Sequence, residues 1–130
     1  MITLICGLPN AGKTTYSKYF DGALHQDDIG TISRIIETIK RKDDVVIEGY
    51  FGRRHERDKV REAHNGYAKC IFLDITADES IKREDRNRHP QILRNAARVF
   101  EPPALAEGWD EIIIIRGDND VERISRQTEN

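Results

Sequence analysis

Gly7, Gly12, Lys13 and Thr14 stand at the spacing G-x-x-x-x-G-K-T, in the run Gly7-Leu8-Pro9-Asn10-Ala11-Gly12-Lys13-Thr14. Together they have the parts needed to hold a chain of phosphates. Glycine lets the backbone turn and approach closely, so that the amides of Asn10, Ala11, Gly12, Lys13, Thr14 and Thr15 can point into one concavity. A helix that starts here adds its unsatisfied N–H groups and its positive dipole end. Lys13 supplies a mobile cation for the β- and γ-phosphates, and Thr14 a hydroxyl for Mg²⁺. The surroundings fit such a loop. Ile2–Cys6 is a short apolar run that reads as a buried strand, and Thr14–Phe20 can open a helix. A chance glycine turn would not require that order, so the expectation is a bound nucleoside triphosphate.

A phosphate loop serves kinases, GTPases and motors alike. No Asn-Lys-x-Asp run for reading guanine occurs, and 130 residues leave little room for the extra subdomains of motors. A small phosphotransferase remains, which needs an acceptor-activating base, Mg²⁺ ligands and cations over the transferring phosphoryl group. Asp27 follows a short strand and is the candidate base; a carboxylate there accepts the proton of an attacking hydroxyl. Either Asp27 or Asp28 is also expected to cap the helix that follows. Glu48 closes the apolar run Val45-Val46-Ile47 and is read as holding the Mg²⁺ shell with Thr14, the alternative being a buried acid paired with an arginine. Asp74 is read as structural. Arg83, Arg86 and Arg88 follow the fourth strand, where a closing segment can neutralise phosphate and exclude water. Arg83 and Arg86 are the expected clamp. Tyr50, Phe51, Arg53 and Arg54 follow the third strand, where an aromatic ring can stack on a base or sugar and an arginine can hold a substrate phosphate. Arg57 and Arg61 are expected on the helix surface, paired with Glu56, Asp58 and Glu62.

These groups need a scaffold, and the chain alternates strand-like and helix-like segments. Strands are expected at Ile2–Cys6, Ala23–Gln26, Val45–Glu48, Ala68–Ile75 and Glu111–Ile115. Between them, Ile29, Ile32, Ile35, Ile36 and Ile39 recur at helical spacing. Arg54–His64 and Asp78–Arg88 read as charged helices, and Pro90 starts another that Pro102-Pro103 ends. Alternation of this kind predicts an α/β fold, a parallel sheet wrapped on both faces, with ligands outside the carboxyl ends of the strands. Residues 117–130 read as a polar tail, in which Val121 and Ile124 hint at a last short helix. One domain spanning 1–130 is expected.

Composition bounds the class. A net charge of −2 with a charged fraction of 34% gives no global basic field for nucleic acid. No apolar run reaches the ~18 residues of a membrane span, and the first strand leaves no room for a signal peptide. Cys6 and Cys70 lie in apolar runs and read as buried, reduced thiols. A cytoplasmic enzyme is the expectation.

The chain resembles the small P-loop kinases related to polynucleotide 5′-hydroxyl kinases, over Met1 to about Arg116. The resemblance rests on Gly7 to Thr15, on His25-Gln26-Asp27-Asp28, and on Phe100-Glu101-Pro102-Pro103-Ala104-Leu105-Ala106-Glu107-Gly108-Trp109-Asp110-Glu111. It implies a five-stranded parallel sheet in the order 2-3-1-4-5, ATP as donor, Mg²⁺, Asp27 as base, and a lid at Arg83 to Arg88. In that family an arginine three residues after the base grips the nucleic acid's phosphate; here the position is Gly30. Either Arg34, one turn further on, takes over, or the acceptor is a small molecule such as a nucleoside, sugar or antibiotic. A nucleotide-binding regulatory module that hydrolyses slowly or not at all is the reading outside the enzymes.

Overall fold

The computed structural model describes residues 1–117 and 119–126. Six strands form one mixed sheet: β1 Ile2–Gly7, β2 Leu24–His25, β3 Val45–Gly49, β4 Ala68–Leu73, β5 Glu111–Gly117 and β6 Asp120–Ser125, in the order β2-β3-β1-β4-β5-β6. The first five are parallel in the expected order. The centre belongs to β1, every residue of which is buried; a strand with helices or loops on both faces must be apolar throughout.

The sixth strand corrects the expectation of five parallel strands and a polar tail. β6 runs antiparallel to β5, with Ile115 opposite Val121 and Ile112 opposite Ile124. Val121 and Ile124 are three apart, a spacing that suits a helix, but they lie on opposite faces of the hairpin. Gln127 to Asn130 lie outside the described residues.

The helices are α1 Lys13–Ser17, α2 Gln26–Ile29, α3 Ile32–Lys40, α4 Arg54–Glu62, α5 Ala77–Lys82 and α6 Pro90–Val99. Two depart from expectation. The helix after β2 is broken at Gly30, whose φ of +98° only glycine adopts cheaply. Thr31 then caps α3 by accepting the N–H of Arg34, so neither Asp27 nor Asp28 is the cap; both sit inside α2. The helix expected from Asp78 to Arg88 stops at Lys82, and the arginines beyond it lie on a tight turn where Asn87 is left-handed. Pro90 does begin α6, at the first position where its missing N–H costs nothing.

The larger core lies on one face of the sheet, where Ile35 and Ile39 of α3, Val60 of α4 and Trp109 meet Ile2, Leu4 and Ile47. The other face is covered by the loop after β1 and by α1, with Ala11, Tyr16 and Phe20 against Ile5, Ile71 and Leu73. Cys6 and Cys70 are buried and free, with sulfurs 3.8 Å apart; burial pushes the Cys70 thiol well up. No helix among the described residues is long and apolar enough to cross a membrane.

Arg57 also departs from expectation. It is fully buried, not on the surface. Its Nε and Nη2 donate to Glu107 Oε1 and Oε2 at 3.0 and 2.7 Å, and Nη1 donates to the Phe51 carbonyl at 2.8 Å. Trp109 Nε1 also donates to Glu107 Oε1. The inner face of α4 offers Val60 but little else that is apolar, so the face closes with a charge whose partner arrives from the Phe100 to Glu111 segment. Arg61 behaves as expected, bonded to Asp58 and Glu62.

Candidate active site

The loop between β1 and α1 is shaped by contacts that glycine alone permits. A Cβ on Gly7 would meet the Leu73 carbonyl oxygen of β4 at 2.7 Å. Gly7→Ala is therefore expected to lower stability by about 1–3 kcal/mol, read as a fall in melting temperature by circular dichroism; an unchanged melting curve would show that the loop can shift. Asn10 and Gly12 are left-handed, and the Tyr16 N–H donates to the Gly12 carbonyl to begin α1. Lys13 Nζ donates to the carbonyls of Gly7 and Leu8 at 3.0 and 2.7 Å. Burial draws its pKa down, while Glu48, Cys6 and Asp27 oppose that shift.

A cleft of about 380 Å³ opens over this loop. It is lined by Asn10, Gly12, Lys13, Thr14 and Thr15 of the loop and α1, and by Asp27, Glu48 and Tyr50 from α2 and the end of β3. Arg83, Arg86 and Arg88 form its rim. Residues from Asn10 to Arg88 are thus gathered at the carboxyl ends of the parallel strands, where such sheets place their ligands. Gly7 and Ala11 stand behind the cleft wall, in the packing against β4 and the sheet.

Asp27 is exposed on the wall, and its side chain makes no hydrogen bond among the described residues. A free carboxylate there can take a proton. Glu48 is 6% exposed, and its Oε1 lies 2.9 Å from His25 Nδ1, its partner across the β2–β3 pair. With Nδ1 protonated, His25 donates and leaves Oε2 for the cleft. Sequence reasoning missed His25; the parallel register of β2 and β3 is the signal that places it. The cleft has the oxygen donors that suit Mg²⁺, the Thr14 hydroxyl and the Glu48 carboxylate.

Tyr50 is stitched into the wall. Its hydroxyl donates to the Ala96 carbonyl at 2.6 Å, its N–H donates to Gln26 Oε1, and its ring meets Phe100 edge-on. Burial raises the pKa of its hydroxyl. Phe51 is 1% exposed, so it packs the core and is not available to stack on a substrate. Arg34 lies outside the cleft, in a separate shallow depression with Ser33, Glu37 and Arg41. Arg53 stands at the start of α4 and does not line the cleft either. Asp74 contacts Arg116, in keeping with a structural role.

The turn after α5 is tied to the loop. Ser80 Oγ donates to the Pro9 carbonyl, and Asn10 Nδ2 donates to the Ser80 carbonyl and to Glu84 Oε1. Arg88 and then Asn10 hold the Glu84 carboxyl down to about 2, against an ordinary 4.5. A depressed carboxylate stabilises the fold above its unfolded pKa and loses that contribution as the pH falls through its folded one. The wild-type melting temperature is thus expected to drop between pH 4.5 and pH 2, more steeply than that of Glu84→Gln; parallel profiles would contradict it.

A second cleft of about 830 Å³ adjoins the first through Gly12, Thr15 and Arg83. It is more apolar, with Tyr16, Tyr19, Ile75, Ile115 and Val121 on its walls.

No protein-family model matches the chain, and no curated protein matches it. Solved structures do. A gluconokinase from Sinorhizobium meliloti 1021 superposes with a TM-score of 0.71 at 16% identity, over 89% of this chain and 83% of that one. A sugar kinase from Janibacter sp. HTCC2649 gives 0.66 at 17%, over 88% and 83%. A fungal RNA kinase gives 0.63 at 14%, over 92% and 75%. At such identities the likeness is one of fold: the chain has an α/β fold similar to that of these kinases, with a mixed six-stranded sheet.

Proposed function

We propose that the chain is an ATP-dependent kinase that transfers the γ-phosphoryl group to a hydroxyl acceptor. The observation that carries this reading is the meeting, in one cleft, of the Lys13 loop with the unpartnered carboxylate of Asp27. Lys13 and the loop amides hold the β- and γ-phosphates. Mg²⁺, held by Thr14 and Glu48, would offset phosphate charge. Asp27 takes the acceptor's proton as its oxygen attacks, and the arginines of the rim stabilise the charge that develops. The nucleoside end lies in the adjoining apolar cleft, beside Tyr16 and Ile115.

The acceptor side favours a small molecule over a polynucleotide 5′-hydroxyl. Gly30 stands where the polynucleotide kinases carry their arginine, and Arg34 and Arg53 do not line the cleft. A bidentate phosphate grip is therefore missing from that side. Incubation with γ-labelled ATP and a panel of acceptors separates the cases. Label in a nucleoside or sugar supports the small acceptor; label in 5′-hydroxyl DNA or RNA alone overturns it.

Lys13→Ala is expected to weaken binding of a non-hydrolysable Mg·ATP analogue by roughly 10–100-fold, the worth of charge-assisted hydrogen bonds to phosphate. Calorimetry reads the change directly; undiminished affinity would remove Lys13 from the phosphate site.

A further inference from the structure

We propose that Arg88 is the arginine that meets the transferring phosphoryl group, and that Asn10 and Glu84 are positioning residues that hold it in place. This rests on the kinase reading above and names which of the rim arginines does the work.

Arg88 lines the cleft that Lys13 and Asp27 share. Its Nε donates to both Glu84 oxygens at 3.1 and 3.0 Å, and its Nη2 to Glu84 Oε1 at 2.9 Å and to Asn10 Oδ1 at 3.2 Å. Asn10 Nδ2 closes the ring by donating to Glu84 Oε1 at 2.8 Å. Glu84 Oε2 also accepts the backbone N–H of Arg88 at 2.9 Å. One residue of the phosphate loop and one of the turn after α5 thus fix a single guanidinium. Of its N–H groups, those on Nη1 have no partner among the described residues. A phosphoryl oxygen in the cleft is the acceptor that edge lacks.

The other two arginines are placed differently. Arg83 spends Nε on Glu79 and Nη1 on the Asn10 carbonyl, which supports the loop. The side chain of Arg86 makes no hydrogen bond among the described residues; only its backbone N–H reaches Glu84. An unheld side chain must be ordered at the moment of reaction, whereas Arg88 is ordered beforehand. The charge of Arg88 also reaches both sides of the cleft, acting on Lys13 and being acted on by Asp27. Glu84 cancels much of that charge for a resting ligand but leaves directed N–H groups. The benefit should therefore appear mainly with the phosphoryl group in flight.

The test uses the full chain with Mg²⁺ and ADP, with and without aluminium fluoride as a mimic of the transferring phosphoryl group. Arg88→Ala is expected to lose roughly 10³-fold in affinity for ADP–aluminium fluoride, and less than about tenfold for ADP alone. Arg88→Lys should recover little, because an ammonium cannot hold the two-point contact with Glu84. Glu84→Gln should lose roughly 10–100-fold through misplacement, and nothing more when added to Arg88→Ala. A merely structural Glu84 would instead give additive losses of affinity for the mimic. Additive losses, or an Arg88→Ala protein that binds the mimic as tightly as the wild type, would overturn the proposal. If Glu84→Gln fails to fold, Arg83→Ala decides: a larger loss than in Arg88→Ala overturns it. Wild-type protein that binds no ADP would overturn the kinase reading itself, a separate outcome.

Discussion

Asp27→Asn is expected to slow phosphoryl transfer roughly 10²–10⁴-fold while leaving the affinity for Mg·ATP close to that of the wild type. The substitution keeps size and polarity and removes only the ability to accept a proton. The Asp27 side chain has no hydrogen-bond partner among the described residues that the amide would strand, so folding gives no competing account of the loss. Position separates the two effects. In the proposed reading Lys13, Thr14 and the loop amides hold the donor, whereas Asp27 lines the same cleft from a different element and meets only the acceptor. A large fall in kcat with little change in nucleotide affinity is the signature of a group used only in the transition state. Single-turnover transfer from γ-labelled ATP, with affinity measured by calorimetry, checks both halves. Full turnover in the variant would remove Asp27 as the base.

Glu107→Gln is expected to cost about 3–5 kcal/mol of stability, the usual result of breaking a buried ion pair from one side. Arg57 is fully buried, and the variant leaves its guanidinium without a counter-charge. Desolvation already opposes its charged state, and the hydrogen bonds and field of Glu107 offset this and raise its pKa. The double variant Arg57→Met, Glu107→Leu should lie much closer to the wild type, because exchanging a buried pair for apolar side chains is often near neutral. Urea denaturation midpoints compare the three; a Glu107→Gln midpoint equal to the wild type would show that the pair is dispensable. The pair also bears on the cleft. Arg57 holds the carbonyl of Phe51, which is left-handed, and the preceding residue, Tyr50, lines the cleft wall.

The sequence made some of this legible and hid the rest for identifiable reasons. The loop after β1 shows because its pattern is local: its glycines, lysine and threonine lie within eight residues of one another. The strand order β2-β3-β1-β4-β5 was legible only through the resemblance, which implied it. β6 was hidden because a polar edge strand with one face open has little apolar content, and Val121 and Ile124 suit a helix equally well. Arg57 was hidden because burial of a charge depends on a partner 50 residues away. Helical spacing favoured Arg83 and Arg86 as the clamp and passed over Arg88; only the ring through Asn10 and Glu84 separates Arg88 from them. Gly30 was legible as a missing arginine, and its backbone conformation adds that it breaks the helix on which Asp27 sits.

The central claim is that the cleft passes a phosphoryl group from ATP to a hydroxyl other than that of water. The direct measurement is the partition of γ-label between acceptor and inorganic phosphate, with wild-type protein, Mg²⁺ and the acceptor panel. The expected result is label in a hydroxyl compound, lost in Asp27→Asn. Label released only as inorganic phosphate, or not released at all, would contradict it.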